Sequence, residues 1–121
     1  MKFYPLTASQ SEAHQLESEY KVARQVGKLR LGELHLYFKS GLRTYYIPYR
    51  DVRRLFRRVE SVPAKLCCGN GEFQIENLVV CGDGDVELAQ IQLPGTKAAK
   101  LLMEDLEQRV PDAEFGRPAQ N

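Results

Sequence analysis

The sequence predicts an α+β fold: a run of strands with one helix before it and an amphipathic helix after it. Three observations carry that expectation. Apolar residues recur at helical spacing near each end of the chain. Between them, apolar and polar residues alternate with a period of two in several short segments separated by Gly, Pro, Asn and Asp. The order is helix, a run of strands, helix, and not the β-α alternation of a parallel α/β sheet.

Taken in order, Ser9 followed by Glu12 has the form of a capping box that opens a helix. Ala13, Leu16, Tyr20 and Ala23 then continue on one helical face. The pattern leaves two endings open, a change to strand near Val22 or a helix continuing to about Gly27. Leu34, Leu36 and Phe38 alternate with His35, Tyr37 and Lys39, which predicts a half-buried strand. Ser40-Gly41 supplies a tight turn, and Leu42 to Ile47 is the return strand, rich in Tyr, Thr and Ile. A two-residue loop there puts Lys39 opposite Leu42. One face then carries Leu34, Leu36, Phe38, Arg43, Tyr45 and Ile47, and is the better core face. The other carries His35, Tyr37, Lys39, Leu42, Thr44 and Tyr46. A one-residue change of loop length would turn the return strand over.

Pro48 ends this hairpin. Gly69-Asn70-Gly71 marks a turn, and EFQIENLVVC (72–81) and DVELAQIQL (85–93) read as two further strands. Gly82 to Asp85 joins them as a hairpin turn, since a calcium loop requires further ligands and a terminal Glu at fixed spacing. Thr96 is placed as the N-cap of a second helix. Its apolar face is Ala99, Leu102, Met103, Leu106 and Val110, and Pro111 stops it. Residues 112–121 are expected to fray.

A chain of 121 residues, 43% hydrophobic and 27% charged, is read as one globular domain (1–121). No run approaches the ~18 apolar residues of a membrane span. The N-terminus shows no apolar signal region, so a cytoplasmic location is expected. Cys67, Cys68 and Cys81, odd in number with two adjacent, make a poor disulfide framework and read as small reduced hydrophobes. No metal site or cofactor is expected: only His14 and His35 could join the cysteines, and both are distant in sequence. There is no Gly-rich phosphate loop, nucleophile elbow or zincin motif. His14 falls on a polar helix face, His35 on a half-exposed strand face, and Glu104 and Asp105 on a helix surface. A non-enzymatic protein is therefore expected.

The net charge of +1 conceals segregation. Residues 1–20 sum to −2, residues 21–65 to +9 and residues 66–121 to −6. The basic stretch is densest in YRDVRRLFRRVES, where Arg50, Arg53, Arg54, Arg57 and Arg58 fall within nine positions. With Lys39 and Arg43 these are the candidate residues for binding an anion or a partner. The competing reading pairs the basic strand with the acidic ones in one sheet. As a helix, the stretch would collect its arginines opposite Val52, Leu55, Phe56 and Val59. As a strand, Arg54 and Arg58 flank Phe56 on one face, while Leu55, Arg57 and Val59 take the other. The neighbouring hairpins favour the strand.

The succession GELHLYF, KSG and LRTYYIPYRDVRRLFRRVE, followed by strands and one amphipathic helix, resembles the bacterial pleckstrin-homology-like (PH-like, GRAM-like) domains. Ile47 to Val52 matches their Ile-Pro-Tyr-x-Asp-hydrophobic phrase. The resemblance covers roughly Gly32 to Pro111. It implies a strongly bent antiparallel sheet or open barrel closed by the helix over Thr96 to Val110, a PH-like core over 27–111 and an extra helical extension over 1–26. It divides the arginine-rich stretch into a turn over Tyr49 to Arg53 and a strand over Arg54 to Glu60. It also implies a binding or scaffolding module of uncharacterised function that contacts a protein or an anionic surface. Lys28 and Arg30 have the local spacing of the basic signature in lipid-binding members, but the rest of that signature does not align. The alternative is a nucleic-acid binder using 21–65, with Tyr37, Tyr45, Tyr46 and Tyr49 stacking on bases. A pI near 7.7 makes this the weaker reading. Self-association through a sheet edge or the Leu42 side is a further possibility for partners.

Overall fold

Alternating residues in the middle of the chain form two sheets packed against each other, seen in a computed structural model that describes residues 1–63 and 72–118. The elements are β1 (Phe3–Pro5), α1 (Ala13–Val22), β2 (Arg24–Val26), β3 (Leu29–Leu31), β4 (His35–Ser40), β5 (Arg43–Pro48), β6 (Arg54–Pro63), β7 (Glu72–Cys81), β8 (Glu87–Gln92), α2 (Thr96–Arg109) and β9 (Glu114–Phe115). Short 3₁₀ turns occupy Tyr49–Asp51 and Asp83–Asp85. The first sheet has the order β1-β5-β4-β3-β2, the second β8-β7-β6-β9. Strands β2 to β5 are one antiparallel meander and β6 to β8 another.

The fold is α+β, with differences from the expected sheet. It is mixed, because β1 joins β5 and β9 joins β6 in parallel. There are two sheets, and no closed barrel among the described residues. Residues 1–26 are not a purely helical extension, since they contribute β1 and β2 to the first sheet. Residues 112–118 do not fray. Ala113 is buried and Phe115 packs on the core, while Glu114 N–H bonds the Arg53 carbonyl at 2.9 Å. The Gly69–Gly71 turn, Cys67 and Cys68 lie outside the described residues.

The β4–β5 hairpin shows how periodicity survives a register error. Ser40 pairs with Arg43, so the loop is Gly41-Leu42 and not Ser40-Gly41. Gly41, at φ +63°, occupies the first loop position, where a type II′ turn needs a positive φ. The pairing is displaced by two residues from expectation, which preserves the faces. Leu36, Phe38 and Ile47 do enter the main core, where they meet Leu29, Leu31, Leu55, Leu78 and Val80. Helix α2 closes the same core with Ala99, Leu102, Leu106 and Val110. Each of these buried side chains is worth about 1.5–3 kcal/mol of transfer free energy.

The opposite face of the first sheet is not half-exposed as expected. Leu16 and Tyr20 of α1 cover Tyr37 and Tyr46, with Phe3 against them, so His35 is only 7% exposed. Phe3, Tyr20 and Tyr37 meet edge to face at centroid distances of 5.2–5.6 Å, a favoured aromatic geometry. Both helix caps also differ from expectation. Helix α1 starts after Glu12 and no side chain caps it, Ser9 included. Gly95 is the N-cap of α2, and Thr96 is already its first helical residue. Of the two endings open for the first helix, the change to strand near Val22 is the one observed.

Candidate functional site

Val52, Leu55 and Phe56 sort the arginine-rich stretch by face. Val52 and Leu55 enter the main core, whereas Phe56 packs with Val79 and Cys81 on the outer side of the second sheet. With arginine on both faces of β6, its antiparallel partner β7 and the hairpin beyond bring carboxylates alongside. Arg53 Nε reaches Asp83 at 2.8 Å, and Arg54 Nε reaches Asp85 at 2.9 Å. Arg54 also pairs with Glu114, Arg57 with Glu76, and Arg58 with Glu87. The guanidinium of Arg58 further donates to Gln90 at 2.7 Å and stacks over the Phe56 ring. The acidic turn Asp83–Asp85 is therefore engaged by arginine. No group of three metal-ligating side chains occurs among the described residues.

Among the described pairs of the arginine-rich stretch, Arg57–Glu76 has the most buried carboxylate. Both lie on the core side of the second sheet, where Glu76 is 2% exposed. Hydrogen bonding from Arg57 holds the Glu76 carboxyl below the usual glutamate range against the opposing effect of burial, with help from Thr96. Arg58 acts likewise on the exposed Glu87. Burial by itself would raise Asp51, but the hydroxyls of Thr7 and Ser9 hold it low.

Of the seven candidate cations, four are thus matched to carboxylates. The Arg50 side chain is exposed beside the 3₁₀ turn, while its carbonyl accepts from Arg53. Lys39 and Arg43 remain, at the tip of the β4–β5 hairpin. Arg43 lies over the Tyr4 ring at 4.8 Å. Lys39 N–H bonds the Lys28 carbonyl at 3.2 Å, which brings the Gly27-Lys28 turn of the β2–β3 hairpin alongside. A cleft of about 320 Å³ opens between these tips and β7–β8. It is lined by Lys28, Lys39, Ser40, Asn77, Gln90 and Gln92, together with apolar Phe38 and Ile91, and by no carboxylate among the described residues. Neither lysine has an ion-pair partner among the described residues. Leu42 projects fully exposed (106%) beside it.

A larger cleft, about 560 Å³, lies between α1, β3 and the end of α2. Its lining mixes Arg24 and Arg109 with Glu19 and Glu33, and Asp105 already holds both arginines. It has no single-sign field to attract an ion. The tyrosines offered for base stacking are committed elsewhere. Tyr37, Tyr46 and Tyr49 are buried, and Tyr45 stacks on Phe38 at 5.5 Å. Burial raises the Tyr49 phenol, with Arg109 opposing, and its hydroxyl donates to the Gly32 carbonyl at 2.7 Å.

One polar cluster was not anticipated. His35 Nε2 meets Ser11 Oγ at 2.8 Å, and His35 Nδ1 meets Glu19 Oε1 at 2.9 Å. Tyr37 OH and the Leu34 N–H also donate to the Glu19 carboxylate. His14, by contrast, is exposed as expected for its helix face. Cys81 is buried, and burial raises its thiol above the ordinary range. No helix among the described residues is long and apolar enough to cross a membrane. Comparison with family models, curated proteins and solved structures finds no match for the chain.

Proposed function

We propose that the protein is a binding module of PH-like fold that contacts an anionic partner through the tips of the β2–β3 and β4–β5 hairpins. The fold part of this reading is supported by the two meanders of four and three strands followed by α2, whose apolar face packs into the core between them. The single observation that carries the function is the cleft that Lys28 and Lys39 line together with Asn77, Gln90 and Gln92 and, among the described residues, with no carboxylate. Arg43 extends the positive field around the hairpin. Lys, Asn and Gln together offer only donors and neutral acceptors, which suits a phosphate- or carboxylate-bearing group. The arginines of β6 serve the second sheet instead.

The test is a titration with inositol hexakisphosphate, followed by amide shifts. Saturable shifts are expected at Lys28, at Lys39 to Arg43 and at Gln90 to Gln92. They should weaken with salt and vanish in Lys28→Glu/Lys39→Glu. No shift at low ionic strength, or shifts centred on Arg53 to Arg58, would overturn the assignment. A single-stranded oligonucleotide run in parallel tests the nucleic-acid alternative, which the burial of three tyrosines disfavours.

A further inference from the structure

The cluster beneath α1 joins three side chains in one line. Ser11 stands just before the helix, Glu19 lies within it, and His35 opens β4. A glutamate carboxylate can only accept, so His35 must carry its proton on Nδ1, at 2.9 Å from Glu19 Oε1. In the neutral ring Nε2 is then a lone pair that accepts from Ser11 Oγ–H at 2.8 Å. Glu19 is itself fixed by Tyr37 OH and by the Leu34 N–H at 2.7 Å. It reaches them over Gly32, where even a Cβ would come within 2.5 Å of its carboxyl carbon. The base is thus oriented by a third group that is held in turn, which is the geometric signature of an activated nucleophile.

We propose that Ser11, His35 and Glu19 form a nucleophile relay by which Ser11 takes an acyl group from a small carboxylic ester. Ser11 Oγ bonds to the ester carbonyl carbon while its proton passes to His35 Nε2. The bond from carbon to the alkoxy oxygen then breaks, and His35 returns the proton to the departing alkoxide. Acyl-Ser11 and an alcohol result, and water repeats the sequence to release the carboxylic acid. Glu19 is a positioning residue. Helix α1 begins two residues after Ser11 and has no side-chain cap. Its first amides, at Ala13 to Gln15, have no acceptor among the described residues, so they are available donors for a developing oxyanion. Ser11 is half-exposed, so its hydroxyl meets small esters arriving from solvent. This function is separate from the hairpin cleft and departs from the expectation of a protein without catalytic chemistry. It stands or falls independently of the anion-binding reading.

The test treats the whole chain with p-nitrophenyl acetate and, separately, with an alkyl fluorophosphonate, then maps adducts by mass spectrometry. One adduct at Ser11 is expected, and none at that peptide in Ser11→Ala. His35→Gln keeps hydrogen-bonding capacity but loses the base, and should label at least ~100-fold more slowly. A merely structural His35 would leave that rate unchanged. An unlabelled wild-type chain, adducts confined to lysines, or equal rates in a folded His35→Gln would each refute the relay. If His35→Gln does not fold, the wild type decides by the labelling rate at Ser11 against that at exposed Ser40: equal rates refute the relay.

Discussion

Replacing Arg57 by Met isolates the electrostatic term most deeply built into the second sheet. Glu76 is 2% exposed and accepts from Arg57 Nε at 3.1 Å, with the second carboxylate oxygen engaged by another guanidinium nitrogen. Removing one partner of a buried pair costs about 3–5 kcal/mol, because the other charge is left without compensation. Two features of the site reduce that figure. The Arg57 side chain keeps 29% exposure, so water already screens part of the pair, and Thr96 and Lys100 continue to favour the Glu76 charge. A loss of about 2–3 kcal/mol is therefore expected. Total stability for a chain of this length is about 6–18 kcal/mol. Urea unfolding followed by circular dichroism should show the midpoint falling by about 1–1.5 M for a slope near 2 kcal/mol/M. Arg57→Met/Glu76→Leu, which removes both charges, should recover at least half of the loss. The pH dependence has a defined sign. Glu76 titrates lower in the folded state than in the unfolded one, so its contribution is complete above the ordinary glutamate value, about 4.3, and is lost as pH falls below it. A single-variant cost under about 0.5 kcal/mol, at the level of an exposed pair, would show that Glu76 is solvated and would refute the reasoning.

Three other substitutions probe the remaining elements. Gly32→Ala would place a Cβ 2.5–2.7 Å from three atoms of the Glu19 side chain, forcing the carboxylate off Leu34, His35 and Tyr37; a loss of about 2–4 kcal/mol is expected, with faster amide exchange in α1, and unchanged exchange would count against the close packing. Truncation after Pro111 removes buried Ala113, Phe115 and the β9–β6 bonds. It should cost about 2–4 kcal/mol and lower the melting temperature by about 6–12 °C, whereas an unchanged melt would mean that the tail frays after all. Leu42→Ser should change stability by less than about 0.5 kcal/mol, since the side chain is fully exposed, while Leu36→Ala in the core should cost about 2–5 kcal/mol; equal effects in denaturant titrations would contradict the register of the hairpin.

What was legible in the sequence was whatever depends on period and not on partner. The face of β4 and β5 that carries Leu36, Phe38 and Ile47 is readable because alternation survives a two-residue displacement of the loop. The strand over the arginine-rich stretch was legible only through its neighbours, and the turn before Arg54 only through the family resemblance, since the arginine spacing by itself fits a helix as well. The apolar stripe of α2 was legible, but its cap was not. Thr96 is a good capping residue, but the helix starts one position earlier than that reading needs, with Gly95 at the cap and Thr96 inside the first turn. Strand β9 was illegible because two residues are too short to show a period, and it is fixed by pairing with a strand sixty residues earlier.

The polar-looking face of the first sheet is where reading by hydropathy fails for a physical reason. His35, Tyr37 and Tyr46 score as amphipathic, so their alternation with Leu36 and Phe38 reads as one wet face and one dry. A signal was nevertheless present: on that face only Lys39 is charged, and it sits at the hairpin end. An aromatic, nearly uncharged outer face calls for a cover, and Leu16 and Tyr20 at helical spacing upstream supply one. Covering it buries His35, and a buried imidazole must find partners for both nitrogens. Glu19 and Ser11 meet that demand from the same segment that provides the cover. The extra helix therefore does more than decorate the sheet. By closing its second face it creates a polar cluster in which a serine, an imidazole and a carboxylate are aligned. The tips of the β2–β3 and β4–β5 hairpins, which no described residue covers, keep exposed the lysines that an anionic partner could reach.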